Sequence, residues 1–242
     1  MRYFKVLILL AATLAVFANF SLAQKRSSSR TRQNASNISD SQIVGGLKEA
    51  LIQGVRRSVN ELGREDGFFK NPRVKIPLPK NLQKVEKTLR FAGQGRKVDE
   101  FVEAMNRAAE KAVPEATDIF LDSIRQMTFD DARKILFSGK DDAATEFFRR
   151  TSEERLRQRF RPIVENFTSE VGVTEQYKAL FTKYGFLGRV VGEDASDIDG
   201  YVTQKALDGL FLLIAEEERK IRRDPIGRTT DLLRVVFGSI IK

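Results

Sequence analysis

Histidine, cysteine and tryptophan are all absent from this chain of 242 residues. Without histidine and cysteine, the Ser-His-Asp and Cys-His arrangements of nucleophilic enzymes cannot be built. The usual zinc sites are excluded as well, because they take imidazole or thiolate ligands. Disulfides are excluded too, although a chain of this length can bury a stable core without them. The composition therefore predicts neither a metal site nor a cofactor.

Carboxylate pairs are the one route to catalysis that this composition leaves open. Glu216, Glu217 and Glu218 follow directly on an apolar stretch, so at least one of them is expected to point inward. Ion pairing along a helix is the simpler interpretation, because Glu216 stands four residues before Lys220. Glu218 stands in the same way before Arg222. We therefore favour a protein that is not an enzyme, with a carboxylate-dependent hydrolase of cell-wall sugar as the alternative.

The first 23 residues have the pattern of a cleaved export signal. Arg2 and Lys5 provide a positive start, residues 6–17 form an apolar run, and Ser21 and Ala23 are small residues before the expected cut. The apolar run is short for a bilayer span of about 20 residues. We therefore predict a periplasmic or secreted protein, with an uncleaved membrane anchor as the alternative.

Residues 24–42 are rich in serine, arginine and asparagine and have almost no apolar side chains. They are predicted to be a flexible linker in front of a single domain at 43–242. Residues 1–42 carry six basic side chains and one acidic one, which leaves about +4 of the formal charge of +9 for that domain. This balance does not indicate nucleic-acid binding. Anionic lipid or cell-wall polymer is the more plausible negative partner of an exported protein.

Helical periodicity dominates from residue 43 onward and predicts an all-α bundle of about eight or nine helices. A continuous period over 98–126 predicts one long helix that Pro114 kinks without ending it. Residues 210–215 are apolar on all sides, so the helix over 198–223 is predicted to be enclosed by its neighbours.

Two pairs of residues predict where helices begin. Thr128 and Asp131 are predicted to be an N-cap pair. Thr151 and Glu154 have the spacing of a capping box, in which a hydroxyl and a carboxylate three residues later bond each other's backbone N–H. Each pair predicts the start of a helix.

Residues 64–79 interrupt the helical pattern, and three of the six prolines of the chain fall there. Because proline cannot donate to a central strand, we predict an extended, proline-rich strap that lies across the helices. A stretch of this length without secondary structure is uncommon unless it binds something or is disordered. The expected contacts to an apolar ligand or a protein partner are Phe68, Phe69, Asn71, Val74, Ile76 and Leu78. A brace that only seals the core is the alternative.

Two further groups of polar side chains are candidates for a role. Asn106, Arg107 and Glu110 share the long predicted helix, and one of them is expected to pair with Glu217 in a buried polar network. A run of alternating arginines is predicted to form a solvated face, with contact to an anionic surface as the alternative. These arginines are Arg155, Arg157, Arg159 and Arg161.

Seven stretches that together span nearly all of residues 43–237 match a known pattern. They are DGFFKNPRVKIPLP at 66–79, MNRAAEKAVPEA at 105–116, MTFDDARKIL at 127–136, DDAATEFFRR at 141–150, YVTQKALDGLF at 201–211, AEEERKIR at 215–222 and DPIGRTTDLLRVVF at 224–237. In this order they resemble a bacterial family known only as domain of unknown function 4197. The resemblance implies an all-helical exported protein of Gram-negative-type bacteria. It brings no activity, cofactor or catalytic residue with it.

The sequence as a whole therefore predicts an exported, non-enzymatic protein that binds an apolar small molecule or an envelope protein. The hydrolase of cell-wall sugar is one alternative. A structural protein that docks on anionic envelope surfaces is the other.

Overall fold

The computed structural model describes residues 40–170, 172 and 197–223. In these residues the fold is all-α, as predicted, and it contains no β-strand. The predicted export signal and linker residues 24–39 lie outside the described residues. Residues 40–42, predicted as the end of the linker, form the start of the first helix.

Seven α-helices and two short 3-10 turns make up the described fold. The α-helices are α1 Asp40–Gly63, α2 Gln83–Phe91, α3 Gly95–Ala112, α4 Ala116–Gln126, α5 Phe129–Phe137, α6 Ala143–Glu170 and α7 Ile198–Arg223. The 3-10 turns are Lys80–Leu82 and Val113–Glu115. The predicted number of eight or nine helices is therefore not confirmed within the described residues.

The stretch predicted as one kinked helix is in fact two helices, α3 and α4, joined by the second 3-10 turn. Pro114 lies in this turn. Because proline has no backbone N–H, it cannot donate the hydrogen bond that would continue the helical ladder. The proline therefore ends α3 instead of only bending it.

The predicted N-cap pair at Thr128 is confirmed, and it forms a full capping box, whereas the capping box predicted at Thr151 is wrong. The Asp131 N–H donates to the Thr128 hydroxyl at 3.1 Å, and the Thr128 N–H donates to the Asp131 carboxylate at 3.2 Å. Thr151 instead lies inside α6, where its hydroxyl donates to the carbonyl of Phe147 at 2.9 Å. Helix α6 already begins at Ala143, because the Glu218 carboxylate of α7 accepts the N–H groups of Ala144 and Thr145.

Helix α7 packs mainly against α1, α3 and α6. Leu210, Phe211, Leu213 and Ile214 are buried, but Leu212 is 38% exposed. The prediction that this helix is enclosed on all sides is therefore wrong at Leu212. Among the described helices, none is both long enough and apolar enough to cross a membrane.

Aromatic edge-to-face contacts join α4, α6 and α7. The ring centroid of Phe120 lies 4.9 Å from that of Phe148 and 6.0 Å from that of Phe211. All three rings are buried, and each such pair adds about 0.5–1.5 kcal/mol to the burial of apolar area. This cluster fixes the three helices relative to one another.

The 64–79 segment connects α1 to the first 3-10 turn. Residues 64–74 are largely wound into turns, in which the N–H of Asn71 donates to the carbonyl of Phe68 at 3.1 Å. The prediction of an extended strap does not hold over these residues, because the Asp-Gly and Asn-Pro pairs within them favour turns. Residues 75–79 have no regular secondary structure.

Candidate functional site

Helix α3 holds the 64–79 segment through a buried carboxylate. One oxygen of Glu110 accepts the backbone N–H groups of Phe68 and Phe69, at 2.9 and 3.0 Å. The other oxygen accepts from the Arg107 guanidinium at 2.8 Å. Hydrogen bonds to an ionised acceptor are roughly twice as strong as neutral ones. Glu110 therefore ties the turns of the segment to the helix.

One helical turn earlier, Asn106 holds the next part of the segment. Its Oδ1 accepts from the N–H of Ile76 at 2.8 Å. Its Nδ2 donates to the carbonyls of Ile76 at 2.9 Å and of Val102 at 2.7 Å. Asn106 and Ile76 have no exposed surface. The side-chain amide thus supplies the donor and acceptor that the buried Ile76 backbone would otherwise lack.

Arg107 gathers the acidic groups around the same turns. It donates to Asp66 at 2.7 Å and to Glu103 at 3.1 Å, besides its bond to Glu110. The hydrogen bond from the Lys70 ammonium is the main reason that the pKa of the Asp66 carboxyl lies below its ordinary value of 3.8. The hydrogen bond from Arg107 lowers this pKa further. The three polar residues predicted on this helix are thus brought together, and what they hold is the 64–79 segment.

Glu217, the fourth residue predicted for this network, lies elsewhere. Its carboxylate contacts Lys220 at 2.5 Å and Arg57 at 3.6 Å. The expected pairing of Glu217 with a residue of α3 is not found among the described contacts. Asn106, Arg107 and Glu110 of α3 instead bind the 64–79 segment. Glu217 therefore pairs with a cation of α1 and with one of its own helix.

The two predicted ion pairs beside Glu217 have different outcomes. Glu218 pairs with Arg222 at 2.7 Å, as predicted. Glu216 does not pair with Lys220; it contacts Arg73 of the 64–79 segment at 2.5 Å. The tertiary contact takes precedence because Lys220 already binds the neighbouring glutamate.

Glu218 also caps the start of α6. Its oxygens accept from the N–H groups of Ala144 and Thr145 and from the Thr145 hydroxyl, all at 2.9 Å. A carboxylate in this position satisfies orphan N–H groups and interacts favourably with the helix dipole. Both oxygens are therefore engaged in structural contacts. In the described part of the chain, no group of three or more carboxylates is arranged to hold a metal ion.

Most of the residues predicted to contact a ligand are buried within the protein itself. Phe68 and Ile76 have no exposed surface, and Val74 and Leu78 are buried except for a small part that lines the groove described below. Gly209 of α7 permits this close approach, because a Cβ there would stand 2.8 Å from the Phe68 ring. This arrangement favours a brace over direct contact with a ligand.

The other two predicted contact residues have local roles. The Lys75 ammonium lies 4.5 Å from the centroid of the Phe69 ring, which is a cation–π contact. The Asn71 side chain accepts the N–H of Arg73 at 3.2 Å and so stabilises a turn.

Each of the four predicted surface arginines has an acidic neighbour. The contacts are Arg155 with Asp122 at 3.3 Å, Arg157 with Glu153 at 3.4 Å, Arg159 with Glu115 at 2.7 Å and Arg161 with Glu165 at 2.7 Å. Their charges are partly neutralised, which favours the solvated face over contact with an anionic surface.

A groove with a volume of about 1100 Å³ lies between the end of the 64–79 segment, α6 and the first half of α7. Part of its wall is apolar, from Val74, Leu78 and the exposed Leu212. The rest is mainly basic, with six cations against two acids. The cations are Arg73, Lys75, Lys80, Arg157, Arg161 and Lys205, and the acids are Asp197 and Asp208. This groove is the candidate ligand site.

Comparison with known proteins identifies the family. A family model described as "Protein of unknown function (DUF4197)" matches residues 37–238. The chain belongs to this family. No curated protein and no solved structure matches the chain significantly. The function of the groove in this DUF4197 protein has therefore to be argued from its own residues.

Two of the groove cations, Lys75 and Lys80, form no salt bridge among the described residues, although, after the hydrogen bond from Arg90, the charge of Lys75 helps to lower the pKa of Asp99, and the Lys75 ammonium lies over the Phe69 ring. The other four are paired, as Lys205 is with Asp208 at 3.0 Å. An unpaired ammonium group can bind an anion without first giving up a salt bridge. Sequence reasoning missed the groove, because its residues come from positions more than 100 apart in the chain. One signal was present in the sequence: Lys75 stands between the apolar residues Val74 and Ile76, which are buried, and this alternation could have indicated that Lys75 faces outward.

Tyr201 joins α7 to the 64–79 segment at the edge of the groove. Its hydroxyl donates to the carbonyl of Pro77 at 3.0 Å. Burial raises the pKa of the Tyr201 phenol above its ordinary value of 10.0, and the negative charge of Asp208 raises it further. The folded protein therefore prefers the neutral phenol, which is the form that can donate this hydrogen bond.

Tyr201→Phe is expected to lower the free energy of unfolding by about 1 kcal/mol at neutral pH, since one hydrogen bond is lost. Because the folded pKa of Tyr201 is the higher one, the hydroxyl contributes fully below about pH 10, and its contribution declines as the pH rises through the folded pKa. Urea unfolding at intervals from about pH 8 to pH 11 should show that the difference in the free energy of unfolding between the original protein and Tyr201→Phe becomes smaller as the pH rises. A difference that stays constant over this range would contradict the assignment.

Proposed function

We propose that this protein is exported and that it binds, without transforming it, a ligand that has an apolar part and an anionic group. The site is the groove beside the 64–79 segment. The observation that carries the proposal is the combination of an apolar wall with two lysines, Lys75 and Lys80, that form no salt bridge among the described residues. This keeps the apolar ligand predicted from the sequence and adds an anionic group to it.

The size and lining of the groove support an elongated amphipathic ligand. Sites for small molecules commonly measure about 300–1000 Å³, so this groove, at about 1100 Å³, is slightly larger than that range. Val74, Leu78 and Leu212 offer apolar surface, while Lys75 and Lys80 offer ammonium groups along the same wall. An acyl chain that carries a phosphate or carboxylate matches both properties.

The contacts of the carboxylates favour binding over hydrolysis of cell-wall sugar. A glycosidase needs two carboxyl groups that face each other across a cleft, about 5–9 Å apart. The two acids of the groove are engaged by cations, Asp197 by Arg161 at 3.1 Å and Asp208 by Lys205 at 3.0 Å. Glu218 is committed to the start of α6.

The export part of the proposal is supported by the pattern of residues 1–23 and is tested separately. Protein recovered from the periplasmic fraction is expected to have the mass of a chain that begins at Gln24. Full-length protein found in the membrane fraction would contradict cleavage and support the anchor. Either result leaves the ligand test unaffected.

The ligand is sought in the protein as the cell makes it. Small molecules extracted from protein purified from its native compartment should include an acyl compound with a phosphate or carboxylate group, identified by mass spectrometry. Recovery of no amphipathic anion, together with no binding of dodecyl phosphate by the purified protein, would contradict the proposal.

Reversal of the two unpaired lysine charges is expected to weaken binding at the groove. In the variant Lys75→Glu with Lys80→Glu, the dissociation constant for dodecyl phosphate, measured by calorimetry, should rise at least about tenfold, which corresponds to about 1.4 kcal/mol. Lys134→Glu, an exposed lysine of α5 outside the groove, is the control and should change it by less than about twofold. An equal loss in both variants would indicate a general charge effect and contradict the site.

A further inference from the structure

Helices α2 and α3 form a hairpin with a phenylalanine at its tip. Phe91, the last residue of α2, is 97% exposed. The next most exposed large apolar residue in the described part of the chain is Phe137, at 60%. A single exposed apolar residue is common, but full exposure of a ring at the end of a hairpin is costly in water and calls for a physical reason.

The exposure of Phe91 is built into the hairpin by its packing. Leu89 and Val98 are buried on either side of the tip and anchor the two helices to each other. Between them the N–H of Gln94 donates to the carbonyl of Leu89 at 2.8 Å, which closes the turn. Gly93 adopts the left-handed φ of 76° that such a helix end requires. With Leu89 directed inward, Phe91 is held in solvent.

The charges around the tip leave it positive. Its acids are bound by arginines of the hairpin: Glu86 and Asp99 by Arg90 at 2.9 and 2.6 Å, and Glu100 by Arg96 at 3.2 Å. Lys87 and Lys97 are both exposed and have no carboxylate partner among the described residues. The tip therefore presents one aromatic ring flanked by two free ammonium groups.

We propose that this tip docks on an anionic lipid bilayer, with the Phe91 ring between the headgroups and with Lys87 and Lys97 against lipid phosphates. The occupant follows from the chemistry of the tip. A bilayer surface offers an apolar layer beneath a negatively charged one, which matches an exposed ring beside exposed ammonium groups. A second copy of the chain would bring the same positive charges into contact and would repel the tip. This surface is separate from the groove, and it does not depend on the ligand proposed there.

The absence of tryptophan from the chain allows a test that reports on this one position. Phe91→Trp places a single fluorescent reporter at the tip, and Phe137→Trp places the same reporter on α5 as a matched control. Both are made in the full chain, so that any membrane contact of residues 1–42 is identical in the two proteins. With vesicles of brominated phosphatidylcholine and phosphatidylglycerol, the tip reporter should shift its emission to the blue and lose at least about half of its intensity. The control reporter should change little.

Two further measurements distinguish lipid docking from self-association and from contact that does not depend on charge. Lys87→Glu with Lys97→Glu, added to the tip reporter, should abolish most of the quenching, and vesicles of phosphatidylcholine alone should quench weakly. Equal quenching of the two reporters, or a tip reporter that stays unquenched, would overturn the proposal. A blue shift that appears without vesicles and rises with protein concentration would show that a second copy covers Phe91, and would overturn it too.

Discussion

Asn106→Leu is expected to lower the free energy of unfolding by about 3 kcal/mol, as measured by urea denaturation. Leucine has the same branched shape and the same number of side-chain heavy atoms as asparagine, so the substitution leaves no cavity and removes the hydrogen bonds to Ile76. The N–H and the carbonyl of Ile76 are both bonded to the Asn106 side chain and are fully buried. Each buried backbone group that loses its partner costs about 1–3 kcal/mol.

The control for this variant is Asn60→Leu, at an exposed position on α1. It should change the stability by no more than about 0.5 kcal/mol. Amide hydrogen exchange adds a local measurement: in Asn106→Leu the Ile76 amide should lose its protection before the amides of α7 do. If Ile76 stays protected and the stability is unchanged, Asn106 does not hold the 64–79 segment.

Glu218→Ala is expected to cost about 3–5 kcal/mol of stability, the range found when one partner of a buried ion pair is removed. The substitution orphans the N–H groups of Ala144 and Thr145 at the start of α6 and removes the ion pair between Glu218 and Arg222. Thermal or urea unfolding measures the total loss. Faster hydrogen exchange in the first turn of α6 would show that the cap is the part affected.

Glu154→Ala serves as the matched control, because Glu154 is an exposed glutamate on α6. It should cost no more than about 0.5 kcal/mol. The contributions of cap and ion pair are separated with Arg222→Met: Glu218 should still stabilise the protein in that background, since the N–H groups remain. A cost that vanishes in the Arg222→Met background would mean that Glu218 acts through the ion pair alone.

The all-α fold class and the buried faces of the helices could be predicted from the sequence, because both depend on the local periodicity of apolar residues. On α1 the apolar residues recur at the helical period and form one face, and Leu47, Leu51, Val55, Val59 and Leu62 on that face are all buried. The capping box at Thr128 was predictable for the same reason, since both of its partners lie within four residues. A local pattern is sufficient where the interaction itself is local.

The polar residues of α3 could be selected from the sequence, but their partners could not. Asn106 and Glu110 stand out as polar positions on the apolar, buried face of an amphipathic helix. Their partners are backbone groups of residues 30 and 42 positions away. Every residue except proline carries the same N–H, so the sequence holds no signal that identifies which N–H a side chain will bind. The predicted pairing with the Glu217 side chain is therefore wrong.

Long-range contacts also account for the other failures. Thr151 and Glu154 have capping-box spacing, but Glu218 caps α6 from 74 residues away and starts the helix earlier. Leu212 belongs to an apolar run, but no described helix covers it, and it forms part of the groove wall. The start of α6 thus depends on a residue of α7, and the exposure of Leu212 depends on the lack of a covering helix among the described residues.

The sequence by itself determined the all-α class, the inward faces of the helices, the absence of imidazole and thiol chemistry and the membership of the DUF4197 family. Only the tertiary structure decided which acids are structural, where the 64–79 segment is held, and that lysines from separate elements share one groove. The physical reason is that apolar periodicity and residue type can be read along the chain. Hydrogen bonds and charge pairs depend on distances in space, and those exist only after the helices have packed.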